Sequence, residues 1–566
     1  MSTFETKTGD NFIFDEALDP RVQDSLETPF LHKNVAYVVD QQAGNGSYTS
    51  GEVIVDSQAI SASGNFIDWR NAYLVVPKRT KVEFQTDAGS ASLNSITNRD
   101  LIAALKNNSQ LDTLKVEANG KTVLTATQGL ANLVNVKMLS TFTLDQLQKD
   151  AATIGFYPDD VGQIGMLHSS QNNATIMSSY VDGVTPYGIN RGLVERQQNW
   201  APITETTFMS QANRSDEAMI INSLGHLGSG GTSAAMTANT YYTLSDFHYV
   251  VIIRLRDIAD LFDKHPISRG VSYRFTLRFN QASAVATYTA ASTTPFSTAP
   301  SFTPTQISGS AMPSILCAGP LNEPILTLGT ATNTASLVKI TDEIDTSSDK
   351  LLSGIRLYCP SYDLEPSHQE KLLSKTPVIK RNFMDFLVQT TQGPIAAGGF
   401  FNVQVSTSAT NPRALIVIPR WSAVATGSGG QGCYSDVSPF STVPGSTDGL
   451  LSLKNLQVKM GSNYVLPDRL FYNYQMFLDH LSSIFAENGG MTGRTSGLIT
   501  KRMFEANHRY YAFDLSRYPE AMTNLPQMIS VEGTSNCQKP VELLCILLYG
   551  REAEWDLRAG SMTITA

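Results

Sequence analysis

The sequence predicts an all-β chain with short helices, organised as two tandem antiparallel sandwiches. Three observations carry this expectation. Strand-like runs bounded by Gly, Pro and Asn recur along the whole chain, as in sandwiches rather than helical arrays. Hydrophobic residues make up 42% and charged residues only 16%, too few charges for coiled coils or exposed helical repeats. Finally, one strand is written twice: "NAYLVVPKRT" at 71–80 and "RALIVIPRWS" at 413–422 both end in proline and a basic residue.

A true duplication preserves the spacing between several features. Pro77 lies 42 residues before Asn119 in "LKVEANGKTV", and Pro419 lies 42 residues before Gly461 in "LQVKMGSNYV". Each reads as strand, tight turn, strand. Asn119-Gly120 is a strong two-residue hairpin signal because both residues tolerate positive φ, and Gly461-Ser462-Asn463 permits a similar reversal. With 566 residues, the chain also exceeds the roughly 250–300 residues at which one core stops growing, so two modules fit its length.

In the first copy the expected strands include "NVAYVVD", "GEVIVDS", "NAYLVVP", "KVEFQT", "HYVVIIRL" and "SYRFTLRF". After its hairpin, "TQGLANLVNVKMLS" reads as a helix with a weak apolar stripe. Thr143 and Gln146 then predict a capping box for "LDQLQKDAATIG". The second copy offers "SGIRLYCP", "RNFMDFLVQT", "FFNVQVS", "RALIVIP", "NLQVKM", "RYYAFDL", "QMISVEG" and "VELLCILLYG". Its helix is clearer, with Leu470, Phe471, Tyr474, Phe477, Leu478, Leu481 and Ile484 forming one stripe and "ENGG" (487–490) as the stop.

A third matching pair, "FHYVVIIRLRDIADLFDKHPISRGVSYRFTLRFN" and "NHRYYAFDLSRYPEAMTNLPQMISVEGTSN", reads as strand, turn with a short helix, strand. It arrives about 81 residues later in the first copy, which implies an insertion near 155–240. The Ser, Asn and Gly of that insertion suit a surface excursion. The tract 281–314 has few charges and reads as a long loop or as the join between copies. The expected division is an N-terminal arm at 1–30, a first module at 31–345 and a second at 346–566.

Beyond the sandwich, connectivity comes from a resemblance. The segments "SGIRLYCPSYDLEPSHQEKLLSKTPVIKRNFMDF", "NPRALIVIPR", "SGLITKRMFEANHRYYAFDLSR" and "ISVEGTSNCQKPVELLCILLYGREAEWDLRAG" resemble the double jelly-roll major capsid proteins of the virophage, polinton and adintovirus type of DNA virus. The likeness covers most of the chain from about residue 50 and rests on fold-type patterns, not catalytic signatures. It implies two eight-stranded jelly rolls side by side and pseudo-hexagonal homotrimers that tile an icosahedral shell, with the inserted loops capping the outer face. It also implies neighbouring capsomers, a separate vertex (penton) protein and minor capsid proteins as partners, and an internal membrane in some such viruses.

The charge balance agrees with a shell that does not itself condense a genome. Net charge is −9, and the first twenty residues hold one Lys and no Arg, so no basic arm neutralises phosphates and sequence-specific nucleic-acid binding is not expected. No stretch reaches the roughly 18 apolar residues of a membrane span and no signal-peptide pattern opens the chain, so it reads as soluble and made in the host cytosol before entering the virion.

Gly427, Gly429 and Gly432 satisfy G-x-G-x-x-G after an apolar strand, but "CYSDVSPFSTVPGSTDG" follows and cannot open the helix a pyrophosphate needs. His368 beside Glu365 and Glu370, and His265 beside Asp263, lack metal-helix spacing and read as solvated faces. Asp159-Asp160 diverge and do not form a facing acid pair. Trp69 with Arg70 and Trp421 with Arg420 suggest cation–π pairs or packing at strand ends. Cys317, Cys359, Cys433, Cys537 and Cys545 are expected as reduced, mostly structural thiols. Asn45, Asn107, Asn173 and Asn213 match glycosylation acceptors. No catalytic, cofactor or metal residue is assigned. The expected function is a structural capsid protein; the alternatives are a tandem-sandwich lectin or adhesin, whose insertion would hold a glycan or receptor, and a carbohydrate-active sandwich enzyme.

Overall fold

The computed structural model describes residues 30–43, 48, 52–86, 102–126, 128–158, 218–223, 242–289, 301–308, 315–318, 335–348, 350–375, 377–422, 451–466, 472–484, 496–506, 508–516, 518, 525–537 and 540–565. In chain order the strands are β1 (Phe30–Val39), β2 (Val53–Asp56), β3 (Phe66–Ile67), β4 (Tyr73–Thr86), β5 (Ile102–Leu105), β6 (Leu111–Ala118), β7 (Lys121–Ala126), β8 (Ala218–Ser223), β9 (Tyr242–Arg254), β10 (Tyr273–Phe279), β11 (Gln281–Thr289), β12 (Ser301–Ser308), β13 (Ile315–Ala318), β14 (Ala335–Ile344) and β15 (Arg356–Leu364). They continue as β16 (Val378–Thr390), β17 (Phe400–Ala409), β18 (Pro412–Trp421), β19 (Leu453–Met460), β20 (Asn463–Tyr464), β21 (Tyr511–Asp514), β22 (Gln527–Ser535), β23 (Val541–Asp556) and β24 (Ser561–Thr565).

Among the described residues all the strand pairs are antiparallel, and four sheets define two sandwiches. The first pairs β1-β15-β4-β9 with β2-β10-β6-β7; the second pairs β16-β23-β18-β21 with β17-β22-β19-β20. Counting eight strands per module in chain order, both have the order 1-8-3-6 over 2-7-4-5, which is jelly-roll connectivity. Pro77 and Pro419 lie in β4 and β18, the third strand of each. The repeat seen in the sequence is thus a repeat of topology.

Asn119 and Gly120 take φ of 48° and 80° in the β6–β7 turn, as a type I′ reversal requires, and Gly461 takes φ 60° between β19 and β20. A helix follows each hairpin, Leu130–Thr141 in the first module and Tyr474–Ile484 in the second. Phe477 and Leu481 of the expected stripe are buried, with Tyr474 and Ile484 packed against the core; Leu470, Phe471 and "ENGG" lie outside the described residues. The first helix has little stripe for a physical reason: it is buried nearly all round, including Asn132, Asn135 and Ser140. The capping box is present, with Thr143 Oγ1 accepting from Gln146 N–H and Gln146 Oε1 accepting from Thr143 N–H.

Three expectations change. "NAYLVVP" and "KVEFQT" form one strand, β4, which exchanges partners on one edge from β15, paired through Val75, to β14, paired from Lys78. Pro77 falls between the two ladders, where a missing N–H breaks no ladder bond. "SGIRLYCP" belongs to the first module, not the second: β15 runs between β1 and β4 and completes the first sheet. Strand pairing therefore puts the join after Leu364, not near 345, and the helix Pro366–Lys375 leads into β16. The tract 281–314, read as a loop or join, instead supplies the β11–β12 hairpin, which extends the first sheet through β14. Of the insertion, β8 pairs with β9; 159–217 and 224–241 lie outside the described residues, as does the arm 1–29.

The register of this extension gathers its strand ends. Phe84 pairs with Tyr242, Ser336 with Thr86, Ala335 with Thr289, and Ser301 with Thr287.

Candidate assembly surface and module seam

The two modules share one continuous hydrophobic core. Its seam is densely built. Ser140, at the end of helix Leu130–Thr141, shares a 2.6 Å hydrogen bond with Tyr510, and Leu498 N–H donates to Leu139 O. Asp260 Oδ2 accepts from the Met384 N–H (2.8 Å), and Arg381 donates to Lys264 O. Burial raises the Asp260 carboxyl pKa. At the other end, Gly270 and Gly560 pack so closely that a Cβ on either would stand 2.9 Å from the other's Cα.

Sequence reading placed His265 on a solvated face; it is buried at this seam. Its Nε2 accepts from Trp555 Nε1 (3.1 Å) and meets the Tyr273 hydroxyl (2.6 Å), while Nδ1 meets Pro266 O (2.5 Å). Because Trp Nε1 can only donate, Nε2 carries the lone pair and Nδ1 the proton. Burial pushes the His265 pKa down to about 3, so the ring is neutral. Trp69 also lies here, edge-on to Tyr273 at 4.7 Å. It packs in the core instead of stacking on Arg70, whose guanidinium is 3.6 Å from Asp263.

A second buried feature escaped sequence reading. Lys78 Nζ is 3.0 Å from Asp342 Oδ2, both fully buried, with Thr80 and Tyr249 donating to Asp342 Oδ1. Beside it Arg79 grips Asp246 with two bonds of 2.8 and 2.7 Å. Burial alone would raise the Asp246 pKa, but the Arg79 bonds reverse this and lower it. His248 Nδ1 meets Asp345 Oδ2 at 2.6 Å. These groups tie β9 and β14 to β4.

His368 lies on the helix Pro366–Lys375. Cys359, Cys537 and Cys545 are buried free thiols, and burial pushes Cys545 up to about 12, far from a reactive thiolate. Cys317 lies in β13. Asn107 is buried, bonded to Tyr157 N and O, and so is closed to a glycan in the folded chain. Arg420 pairs with Glu542 at 3.4 Å. Cys433, Asp159-Asp160, Gly427, Gly429, Gly432, Asn45, Asn173 and Asn213 lie outside the described residues. Among the described residues no group of three His, Cys, Asp or Glu is placed to hold a metal ion, and no helix is long and apolar enough to cross a membrane.

What the described surface offers is apolar area. On β1, Val35, Tyr37 and Val39 point outward at 46%, 54% and 40% exposure, while Ala36 and Val38 pack inward. Across the sheet Tyr37 meets Tyr358 (5.5 Å), which stacks on Tyr73 (5.4 Å, 14°), and Arg356 lies 5.5 Å over the Tyr37 ring. On the second module Phe400, Tyr464, Leu525 and Met528 are exposed.

No family model and no curated protein matches the chain. Solved structures do. A chain from the cryo-EM structure of the Sputnik virophage aligns with a TM-score of 0.53 at 12% identity, covering 97% of this chain and 92% of that one. The mavirus major capsid protein aligns at 0.48 and 11% identity, covering 94% and 90%, and the Faustovirus major capsid protein at 0.43 and 11%, covering 94% and 92%. The Sputnik likeness runs through both sandwiches and shows a shared double jelly-roll fold.

Proposed function

We propose that the chain is the major capsid protein of a DNA virus, a structural subunit that assembles into homotrimers and, through them, an icosahedral shell. The observation carrying this reading is that 97% of the chain, both sandwiches included, follows the fold of a chain of the Sputnik virophage. The apolar area left exposed on the first module supports it, because contiguous uncovered apolar patches mark interaction surfaces. The role is structural, with no residue assigned to catalysis. Neighbouring capsomers, a vertex protein and minor capsid proteins are its partners, and the virion is its destination after synthesis in the host cytoplasm.

Light scattering after size exclusion, followed by negative-stain microscopy of the full chain, tests the reading. Trimers, hexagonal arrays or shells are expected. A monomer at every concentration that binds a glycan would instead establish the lectin reading.

A further inference from the structure

Lys78 and Asp342 are 264 residues apart in the chain, and folding alone brings them together. Lys78 lies on β4 and Asp342 on the neighbouring strand β14, where Asp342 is the register partner of Thr80. Both side chains are wholly buried, and Lys78 Nζ stands 3.0 Å from Asp342 Oδ2. An amine and a carboxyl held in contact away from water are the two reactants of an amide, already positioned by the fold.

The surroundings suit that amide better than the ion pair. Nζ also donates to Asn280 O at 2.9 Å, while Oδ1 accepts from the Thr80 and Tyr249 hydroxyls, each at 3.1 Å. An amide keeps all three bonds: its single N–H serves Asn280, and its carbonyl oxygen serves Thr80 and Tyr249. Only the contact to Oδ2 is lost, and Oδ2 is the atom that leaves. Condensation also removes two charges that are costly to hold away from water. Burial raises the Asp342 carboxyl pKa and so favours the neutral acid.

We propose that Lys78 and Asp342 condense, after folding, to an isopeptide bond that joins β4 to β14. One Nζ proton passes to Oδ2, leaving an amine and a carboxylic acid. The Nζ lone pair attacks Cγ, and the charge gathering on Oδ1 is held by the Thr80 and Tyr249 hydroxyls, the part an oxyanion hole plays. As the Cγ–Oδ2 bond breaks, Oδ2 takes a second Nζ proton and departs as water; the third proton stays on the amide nitrogen. The step needs no oxidant or reductant, unlike a disulfide, and Cys359, Cys537 and Cys545 are free thiols. The newly folded chain holds the ion pair and the aged chain the amide. The amide closes residues 78–342 into a covalent loop, which constrains the unfolded chain. Because β14 carries the β11–β12 hairpin, the bond anchors that extension to β4.

Mass spectrometry of the full chain, incubated in the folded state and then denatured, tests the proposal. The expected product is lighter than the sequence by one water, and its digest contains a branched peptide joining positions 78 and 342. A chain that keeps its full mass after prolonged incubation, or that loses water without this branch, overturns the proposal. Lys78→Arg retains a cation, but its guanidinium stays protonated and cannot attack. That variant should hold its full mass under the same incubation, and an equal loss of water from it would place the reaction elsewhere and overturn the proposal. Should Lys78→Arg not fold, the presence or absence of the branched peptide in the parent decides.

Discussion

Trp555, in the last long strand of the second module, donates its indole N–H to His265 Nε2 of the first module at 3.1 Å. This bond joins residues 290 apart in sequence and fixes the histidine as a neutral acceptor inside a seam of Tyr273, Trp69 and Met562. Protonating Nε2 would turn two N–H groups toward each other in a buried site.

The pH dependence follows. His265 has its folded pKa pushed down to about 3, against an ordinary value of about 6.5. Between these values the unfolded chain binds a proton that the folded chain does not, so this residue's contribution falls as pH drops below about 6.5 and is constant above it, with a slope of at most about 1.4 kcal/mol per pH unit. Urea unfolding from pH 7.5 to 4.5 should show this loss in the parent. His265→Gln, which keeps an acceptor for Trp555, should show a smaller slope over the same interval.

Lys78→Met should destabilise the chain by about 3–5 kcal/mol, because it leaves the fully buried Asp342 carboxyl without the cation that pairs with it. The double variant Lys78→Met with Asp342→Leu should recover most of that loss. Equal destabilisation in both variants would mean that shape, not charge, dominates this site.

Gly497 takes φ +62°, and a Cβ there would lie 2.4 Å from the carbonyl oxygens of Leu139 and Ser140. Gly497→Ala combines a left-handed backbone with a backbone clash across the seam and should cost at least about 2 kcal/mol in chemical unfolding. Gly393, with no atom within 4 Å of its Cβ position and no positive φ, should accept alanine with little change.

Thr143→Ala removes one half of the reciprocal cap on the helix Leu144–Lys149 and should cost about 1 kcal/mol. Thr143→Ser should retain most of the stability.

What could be read in the sequence was local. The strands, the Asn119-Gly120 turn, the Thr143 cap and the duplication depend on residues close in the chain, and the register confirms them. What could not be read depends on distant partners. Lys78 and Asp342 are 264 residues apart, and neither "VVPKRT" nor "VKITDEID" says that its charge is buried. The strand at 356–364 looked like the start of the second copy because it closely precedes the other second-copy strands; only its pairing with β1 and β4 assigns it to the first. His265 looked solvated because its neighbours Asp263 and Lys264 are polar, whereas its environment is made by Tyr273 and Trp555. One signal was available for the exposed apolar face: residues 35–39 of β1 are apolar on both alternations, though only one can face its own core.

Single-particle cryo-EM of the purified full chain decides whether its two jelly rolls form one self-assembling building block. Closed assemblies of three copies, with six sandwiches around one axis, are expected. Particles that remain single copies with both sandwiches folded would overturn this reading.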